Sequence, residues 1–355
     1  MNILIVRLGS LGDIVHALPA AAALAERFPG AQIDWLVDAR YRDILDCVPV
    51  VSRRLVVSTS RSAVARRAGG GPEARVFSGR RALPAAVAEL RRSRYDVAFD
   101  LQGLLKSAVL ARLSGARRVI GFAPAHLREA SARWFYTETI DPAGAQHVVD
   151  KNLAALTAVG ITQAPRRFPI DVPPSPAVGD VARRLGLAAG GRFALINPGA
   201  AWPNKRWPPD RFGAAAAAMH ARHGLRSAVL WGPGEESLAH DVAGRSSGAA
   251  AAAPPTSVAD LVELARAACL MIAGDTGPLH IAAAAGTPII GLFGPTDPRR
   301  NGPWDPADIA LSQFDACVCH YQRRCRRTTS CLADIHVEDL VAAIDRRLAA
   351  PPGSR

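Results

Sequence analysis

Residues 2–28 have the sequence NILIVRLGSLGDIVHALPAAAALAERF, and this stretch decides the fold class. Residues 2–7 are rich in Ile, Leu and Val and predict a buried strand. Two glycines then mark a tight turn, and a helical pattern runs over residues 14–28. Because a strand, a turn and a helix in this order begin a βαβ unit, we expect a parallel sheet with helices on its faces.

The same alternation of apolar runs and helical patterns recurs along the chain and stops once, at residues 161–176. Five prolines fall in this segment, which is the candidate linker between domains. The length of 355 residues agrees with two domains of a typical ~150 residues each. We predict an α/β chain with Rossmann-like domains at residues 1–165 and 176–355, whose C-terminal helix can pack back on the first domain. An alanine run at residues 249–253 predicts a short loop or an edge strand.

The composition excludes several classes of protein. With 49% hydrophobic residues the chain can bury a core, so intrinsic disorder is excluded. Arg7, Asp13 and His16 interrupt the apolar start, which therefore does not predict a signal peptide, and we expect no membrane span. Six cysteines in so long a chain, two of them isolated, are not typical of a small secreted disulfide protein. We expect the reducing cytosol.

The positive charge is concentrated in one segment. The formal charge is +12, and residues 51–94 contain eleven arginines against two glutamates. Residues 58–81 show no period and include Gly-Gly-Gly-Pro, which predicts a long mobile loop. Proteins that bind single-stranded nucleic acid stack its bases on aromatic side chains, and here only Phe77 and Tyr95, which directly follows the segment, could do so. Anionic lipid headgroups or a phosphorylated substrate therefore fit this segment better than nucleic acid. A basic surface that only solubilises the chain is the alternative.

Glycine-rich loops follow two predicted strands, and ligands of open parallel sheets bind at such positions. Residues 9–13 (GSLGD) lack the G-x-G-x-x-G fingerprint of dinucleotide-binding proteins, and Asp13 is either a helix cap or a functional carboxylate. Residues 197–208 (NPGAAWPNKRWP) place Lys205 and Arg206 before a helix, which suits a diphosphate. A surface loop that its tryptophans anchor is the alternative.

Two further loops of this kind lie in the second half. Residues 232–236 (GPGEE) offer a carboxylate to a sugar hydroxyl, or cap the following helix. Residues 273–280 (AGDTGPLH) end a strand in glycine and begin a helix near Pro278, so free backbone N–H groups form a phosphate cradle. The Asp-Thr-Gly triplet also occurs in aspartic proteases, but one copy in a parallel α/β pattern does not fit that chemistry. His280 is either a ligand contact or an interior histidine.

Four cysteines lie near the C-terminus with the spacing C-x-C-H-x4-C-x5-C, from Cys317 to Cys331. Four thiols within fifteen residues can bind zinc, although the repeated C-x2-C of common structural sites is missing. Reduced thiols or a redox-labile loop are the alternative.

Together these motifs resemble those of the ADP-heptose:lipopolysaccharide heptosyltransferases of glycosyltransferase family 9, over nearly the whole chain. The resemblance is carried by residues 3–19, residues 100–107 (DLQGLLKS), residues 205–208 (KRWP) and residues 274–280 (GDTGPLH). Residues 102–107, Gly121-Phe122 and Arg128-Glu129 look most like heptosyltransferase I, which adds the first heptose to the Kdo-lipid A inner core. The cysteine cluster looks more like heptosyltransferase II.

The resemblance implies the glycosyltransferase type B fold, with two facing Rossmann-like domains, and an inverting, metal-independent transfer that needs no cofactor. It implies that the C-terminal half binds ADP-L-glycero-β-D-manno-heptose and that the N-terminal half binds Kdo-lipid A. Asp13 is then the general base, and Lys205 is the cation on the diphosphate. The donor-binding residues that follow from it are Ala200, Ala201, Lys205, Glu235, Asp275, Thr276, Gly277, Pro278, Leu279 and His280. The acceptor-binding residues are Gly12, Arg61, Arg66, Arg67, Arg80, Gln102, Lys106 and Arg128.

On this basis we expect a monomer in peripheral contact with anionic lipid on the cytoplasmic face of the inner membrane, without a nucleic-acid partner. A heptosyltransferase II is the first alternative. A nucleotide-sugar epimerase on the same fold and a non-enzymatic protein that binds polyanions are the others.

Overall fold

The computed structural model describes residues 1–58, 74–77, 82–188 and 190–350. It separates into two compact units whose boundary lies between Asp171 and Val172, inside the segment predicted as a linker. Each unit is built on one parallel sheet with helices, so the predicted α/β class is confirmed.

The first unit begins with the predicted strand and turn. Its described strands are β1 (Asn2–Val6), β2 (Gln32–Asp38), β3 (Arg53–Val57), β4 (Ala74–Phe77), β5 (Val97–Asp100), β6 (Arg118–Phe122) and β7 (Glu138–Ile140). Its described α-helices are α1 (Leu11–Val15), α2 (Leu18–Arg27), α3 (Ala82–Arg92), α4 (Leu105–Leu113) and α5 (Val148–Ala154). The sheet order is β4-β3-β2-β1-β5-β6-β7. The strand order of this sheet therefore reverses between β1 and β5, and the carboxyl ends of these two strands are the expected ligand position.

The second unit repeats this plan. Its described strands are β8 (Phe193–Asn197), β9 (Arg226–Val229), β10 (Ala250–Ala252), β11 (Leu270–Gly274), β12 (Ile289–Phe293) and β13 (Ile309–Ser312). Its described α-helices are α6 (Ala177–Arg184), α7 (Pro209–His223), α8 (Glu236–Gly244), α9 (Val258–Ala267), α10 (Gly277–Ala284), α11 (Pro298–Asn301) and α12 (Val337–Ala349). The sheet order is β10-β9-β8-β11-β12-β13, so the switch point lies between β8 and β11. The alanine run forms an edge strand, one of its two predicted structures, and α12 packs against α7, β12 and β13.

The single helix predicted over residues 14–28 is wrong, because the structure has two helices there. α1 ends at Val15, and α2 begins at Leu18 with Pro19 in its first turn. Proline has no N–H to donate to the preceding turn, and it is tolerated only where a helix begins. The break therefore makes α1 a one-turn helix, which includes residues 11–13 of the predicted glycine-rich loop.

The long loop predicted over residues 58–81 is wrong in part. Residues 74–77 form β4, which pairs in parallel with β3. A four-residue edge strand owes its order to hydrogen bonds with its neighbour, which a search for periodicity along the chain does not detect. Residues 59–73 and 78–81 of this segment lie outside the described residues. None of the helices in the described ranges combines the length and the apolar content that crossing a membrane requires.

A buried ion pair fastens α12 to the second sheet. Arg347 Nε lies 2.8 Å from Asp308 Oδ1, and both side chains are at most 5% exposed. The same oxygen accepts the N–H of Ile289 at the start of β12. Removing one partner of such a pair leaves an uncompensated charge in the interior.

We predict that Arg347→Ala lowers the free energy of unfolding by about 3–5 kcal/mol, because Asp308 loses its buried counter-charge. Chemical denaturation at pH 7 measures the change. Arg346→Ala is the matched control, since Arg346 is exposed on the same helix, and it should change stability by about 0.5 kcal/mol or less. A loss below about 1 kcal/mol for Arg347→Ala would contradict the structural role, since buried pairs cost far more to break.

Candidate active site

The loop after β11 is organised around the carboxylate of Asp275, which is 6% exposed. Its Oδ2 lies 2.5 Å from Lys205 Nζ, and its Oδ1 accepts from Asn301 Nδ2 at 2.7 Å and lies 3.0 Å from His280 Nε2. Burial by itself raises the pKa of Asp275, but the hydrogen bond from His280 and the charge of Lys205 outweigh burial. The pKa therefore lies well below its usual range, and Asp275 is an ionised anchor for Lys205.

Lys205 reaches this anchor from the loop after β8. It ends the 3₁₀ turn Pro203–Lys205, and its ammonium also donates to the backbone oxygen of Asp275 and lies 4.8 Å from the centre of the Trp202 ring. The two loops are in close contact, because a Cβ on Gly274 would lie 2.5 Å from the carbonyl oxygen of Lys205. Glycine at this position is what lets the backbones approach.

The Lys205 turn is itself anchored on both sides. Asn204 Nδ2 donates to the carbonyl oxygen of Gln322 at 2.8 Å. Trp207, which is 1% exposed, donates its indole N–H to the carbonyl oxygen of Ile335 at 3.1 Å. The lysine is therefore held on a fixed loop, and Trp207 serves as the anchor that the alternative interpretation of this loop proposed.

The second cation of this loop is paired with the predicted hydroxyl ligand. Arg206 Nη2 lies 3.1 Å from Glu235 Oε1, and Arg206 Nε donates to the carbonyl oxygen of Ala200 at 2.8 Å. Glu235 Oε2 also accepts the N–H of Gly232. It lies directly over Gly199, where an added Cβ would come within 2.1 Å of it. Glu235 and Arg206 thus form one pair, with 21% and 42% of their side chains exposed.

The remaining predicted donor residues differ in exposure. Thr276, Gly277 and Pro278 at the start of α10 are partly exposed, and Ala201 is exposed. The side chains of Asp275, Leu279 and His280 are buried, as is Ala200. Asn197 at the end of β8 joins the two loops, because its Nδ2 donates to the carbonyl oxygen of Gly199 and lies 3.4 Å from Thr276 Oγ1. The structure therefore gathers the predicted donor residues of these loops at the switch point of the second sheet.

In the first unit, Asp13 lies in the first turn of α1 and both of its carboxylate oxygens are engaged. Oδ1 is 2.6 Å from Arg7 Nη2, and Oδ2 accepts from the N–H and the hydroxyl of Ser10 at 3.0 and 2.9 Å. Asp13 therefore caps the helix as one alternative predicted. Its side chain is 28% exposed, so the carboxylate also remains open to a ligand.

A second buried carboxylate, Asp100, organises the turn after β5. It is 0% exposed and accepts from Tyr136 Oη at 2.8 Å, from Ser107 Oγ at 2.9 Å and from the N–H groups of Gln102 and Gly103. Burial raises the pKa of Asp100 by more than these donors lower it. Gln102, a predicted acceptor residue, accepts the N–H of Leu8 at 2.7 Å and so joins this turn to the end of β1.

The other predicted acceptor residues are only partly located. Gly12 is buried in α1, and Lys106 and Arg128 are exposed on segments that follow β5 and β6. Arg61, Arg66, Arg67 and Arg80 lie outside the described residues.

The four C-terminal cysteines come together in space. Cys317, Cys319 and Cys331 are buried in one cluster with Cys325 packed against it, and the sulfurs of Cys317 and Cys319 are 3.4 Å apart. Burial raises the pKa of Cys319 to about 12, so its thiol is protonated at neutral pH. Within the described parts of the chain, no set of three or more His, Cys, Asp or Glu side chains is arranged to hold a metal ion.

Sequence reasoning missed several residues of these sites. Arg7 lies in an apolar strand context, and Asn301 lies in an arginine-rich stretch without a recognisable motif. Arg7 pairs with Asp13 in the next element, and Asn301 donates to Asp275, which is distant in sequence. No local pattern therefore identifies either residue. Asn197 stood inside the predicted loop without an assigned role, and Trp202 was considered only as an anchor of that loop.

Comparison with known proteins assigns the family. Residues 85–330 match the model of glycosyltransferase family 9 (heptosyltransferase). The chain is 32% identical to lipopolysaccharide heptosyltransferase 1 of Pseudomonas aeruginosa, over 92% of this chain and 87% of that protein. It is 28% identical to lipopolysaccharide heptosyltransferase 3 of Escherichia coli, over 95% of this chain and 96% of that protein. The chain belongs to glycosyltransferase family 9.

Solved structures agree with this assignment. The Escherichia coli heptosyltransferase WaaC with ADP superposes with a TM-score of 0.75 at 24% identity, covering 98% of this chain and all of that chain. WaaC with ADP-2-deoxy-2-fluoro heptose superposes with a TM-score of 0.73 at 25% identity, over 97% of this chain and 99% of that chain. The predicted family, the type B fold class and the transferase activity of the lipopolysaccharide heptosyltransferase family are thereby confirmed.

We predict that the Asp275 ion pair makes folding sensitive to acid. Because the folded-state pKa of Asp275 lies below its unfolded value, its stabilisation is present above that unfolded value and is lost as the pH falls toward the folded one. Between pH 5 and 2 the free energy of unfolding should therefore fall less steeply for Asp275→Asn, by up to about 1.4 kcal/mol per pH unit for one proton. Denaturant unfolding across this range measures the slopes.

Asp315→Asn is the control, because the side chain of Asp315 is 92% exposed and its removal should leave the slope of the parent protein. Equal slopes for Asp275→Asn and the parent protein would refute the assignment of Asp275 as an ionised anchor.

Proposed function

We propose that this chain transfers L-glycero-D-manno-heptose from the ADP-activated β-heptose to Kdo-lipid A, with inversion at the anomeric carbon, as a heptosyltransferase of type I. The observation that carries the proposal is the position of the Lys205 ammonium, which Asp275 holds beside the first turn of α10. A cation and free backbone N–H groups at one strand end suit a diphosphate leaving group. The relative WaaC, solved with ADP and with an ADP-heptose analogue, supports the same donor.

On the donor side, the chemistry is stabilisation of the departing ADP. Negative charge develops on its diphosphate as the bond to the sugar breaks. Two of the three ammonium protons of Lys205 bond to Asp275, which leaves the third for a phosphate oxygen. The N–H groups of Thr276 and Gly277 add the positive end of the helix dipole. Glu235 is placed to accept a hydroxyl of the sugar or of the ribose.

On the acceptor side, the chemistry is deprotonation of a sugar hydroxyl. A hydroxyl is a poor nucleophile near neutral pH, so a carboxylate must take its proton as it attacks the anomeric carbon. Asp13 fills this role in the first unit, where its carboxylate pairs with Arg7 and is partly exposed. Lys106 and Arg128, exposed on the same unit, suit the carboxylates and phosphates of Kdo-lipid A.

The type I assignment rests on the segment at residues 102–107, and the relatives include heptosyltransferases of types 1 and 3. We place the enzyme as a monomer at the cytoplasmic face of the inner membrane. At this surface its net charge of +12, which includes the basic segment at residues 51–94, would attract anionic lipid headgroups.

A transfer assay tests the proposed function. The protein is incubated with ADP-heptose and one acceptor per reaction, which is Kdo-lipid A, monoheptosylated Kdo-lipid A or diheptosylated Kdo-lipid A. The masses of the lipid products are measured by mass spectrometry. Addition of one heptose to Kdo-lipid A alone supports type I. Addition only to a heptosylated acceptor would replace type I by type II or III, and hydrolysis or epimerisation of the donor without any transfer would contradict the proposal.

We predict that Asp13→Asn lowers turnover by ~10²–10⁴, because the amide cannot accept the proton of the acceptor hydroxyl. Asparagine retains an oxygen for the N–H of Ser10, but the buried Arg7 loses its counter-charge, so the melting temperature should fall while the affinity for ADP stays near that of the parent protein. Measuring kcat, melting temperature and ADP affinity on one preparation separates the catalytic role from the capping role. A variant that keeps more than about a tenth of normal turnover would remove Asp13 from the mechanism.

We predict that ADP stabilises the folded protein through the second unit. At a hundredfold excess over its dissociation constant, ADP should raise the free energy of unfolding by ~2.7 kcal/mol. Lys205→Met should abolish most of this gain at the same ADP concentration. Lys106→Met is the matched control, since Lys106 belongs to the first unit, and its ADP-dependent thermal shift should equal that of the parent protein. Equal shifts for both variants would show that Lys205 does not hold the diphosphate.

A further inference from the structure

Arg7 is a nearly buried cation at the carboxyl end of β1, and no sequence motif assigns it a role. It is 5% exposed. Its backbone is tied to β2, because its N–H donates to the carbonyl oxygen of Leu36 and its own carbonyl oxygen accepts the indole N–H of Trp35 at 3.1 Å. The start of the Arg7 side chain is therefore fixed by the sheet.

The guanidinium is fixed at its other end by two groups from different elements. Nη2 lies 2.6 Å from Asp13 Oδ1, and Nη1 donates to the carbonyl oxygen of Leu101. Leu101 belongs to the turn that Asp100 organises, and the side chain of Gln102 in that turn accepts the N–H of Leu8. The buried carboxylate of Asp100 thus fixes the carbonyl group that orients Arg7, and Arg7 in turn fixes one oxygen of Asp13.

Burying a guanidinium is costly unless strong hydrogen bonds compensate for the lost water. Here the compensation is incomplete, because Arg7 Nε is buried and has no hydrogen-bond partner among the described residues. An apolar side chain would fill the same space without this cost. The charge is therefore better explained by what it does to Asp13 than by stability.

The proposed acceptor makes such a cation useful. Kdo-lipid A carries carboxylates and phosphates, and negative charge beside Asp13 favours the protonated carboxyl group, which cannot act as a base. A buried cation within 3 Å of the carboxylate opposes this effect and is little screened by salt. Ser10 holds the other oxygen by neutral hydrogen bonds, which orient the carboxylate and add no net charge.

We propose that Arg7 is the positioning residue of the acceptor site, which keeps Asp13 ionised and aimed while an anionic acceptor is bound. This inference rests on the proposed role of Asp13 as the base. Arg7 acts through Asp13 and needs no contact with either substrate.

The test is the pH dependence of kcat and kcat/KM for Kdo-lipid A in Arg7→Met and Arg7→Lys. In Arg7→Met, the acid limb of the pH profile, where activity falls as Asp13 becomes protonated, should move to higher pH by roughly one to three units. The kcat at pH 7 should fall by about tenfold or more. The KM for ADP-heptose should stay unchanged. Arg7→Lys keeps the positive charge but loses the two-pronged guanidinium, so its acid limb should lie close to that of the parent protein while kcat stays reduced. Arg112→Met, on the exposed face of α4, is the matched control and should leave the profile unchanged.

Two further variants keep the test decisive. If Arg7→Met does not fold, Arg7→Lys against Ser10→Ala carries the comparison, because Ser10→Ala removes an orienting donor without removing charge. Ser10→Ala should lower kcat without moving the acid limb. The Arg7 inference would be overturned if Arg7→Met kept the acid limb unmoved and kcat within about threefold of normal. If Asp13→Asn were inactive in the same assay, the proposed role of Asp13 as the base would still stand. An active Asp13→Asn would overturn the proposed base as well.

Discussion

A carboxylate buried at the end of a parallel strand must be stabilised by hydrogen bonds or charges from its neighbours, and this requirement shapes the second unit. Asp275 meets it with an ammonium, an imidazole and an amide from three segments of the chain. Those partners fix the start of α10, the Lys205 turn and α11 relative to one another. The same contacts leave Lys205 with one proton for a ligand, so the interaction that stabilises the unit also prepares the proposed anion site.

The first unit solves the same problem with different residues. Asp100 is buried at the end of β5, the strand that corresponds to β11, and is satisfied by a phenol, a hydroxyl and two backbone N–H groups. No cation reaches it in the described structure. Arg7, a buried cation of this unit, pairs instead with the partly exposed Asp13. One unit therefore presents a cation supported by a buried carboxylate, and the other presents a carboxylate supported by a buried cation, which is the arrangement that the proposed donor and acceptor sites would use.

The sequence predicts the parts of this arrangement that are local. Strands such as β1 and β11 are continuous apolar runs, and the glycine-rich loops after them mark the strand ends, so the sheet class and the loops with Asp13, Lys205 and Asp275 could be predicted. The partners Asn301 and Arg7 could not be predicted, because Asn301 stands in no motif and the motif at residues 3–19 gives Arg7 no role. The break before α2 was missed because the helical pattern of apolar residues continues across it, although Pro19 cannot continue the first helix and lies in the first turn of the second. The strand β4 was missed because its order depends on pairing with β3 and not on its own sequence pattern. The roles of the site residues remain predictions that rest on the resemblance and on this geometry.

The central claim is a single displacement, in which one carboxylate activates the acceptor and cations stabilise the departing ADP. The anomeric configuration of the product tests it most directly. Enzyme, ADP-L-glycero-β-D-manno-heptose labelled with carbon-13 at the anomeric position and Kdo-lipid A are incubated, and the one-bond carbon–proton coupling of the new linkage is measured by NMR. The account predicts an α-linked heptose. A β-linked heptose would require two successive displacements through an enzyme-bound sugar and would contradict the mechanism.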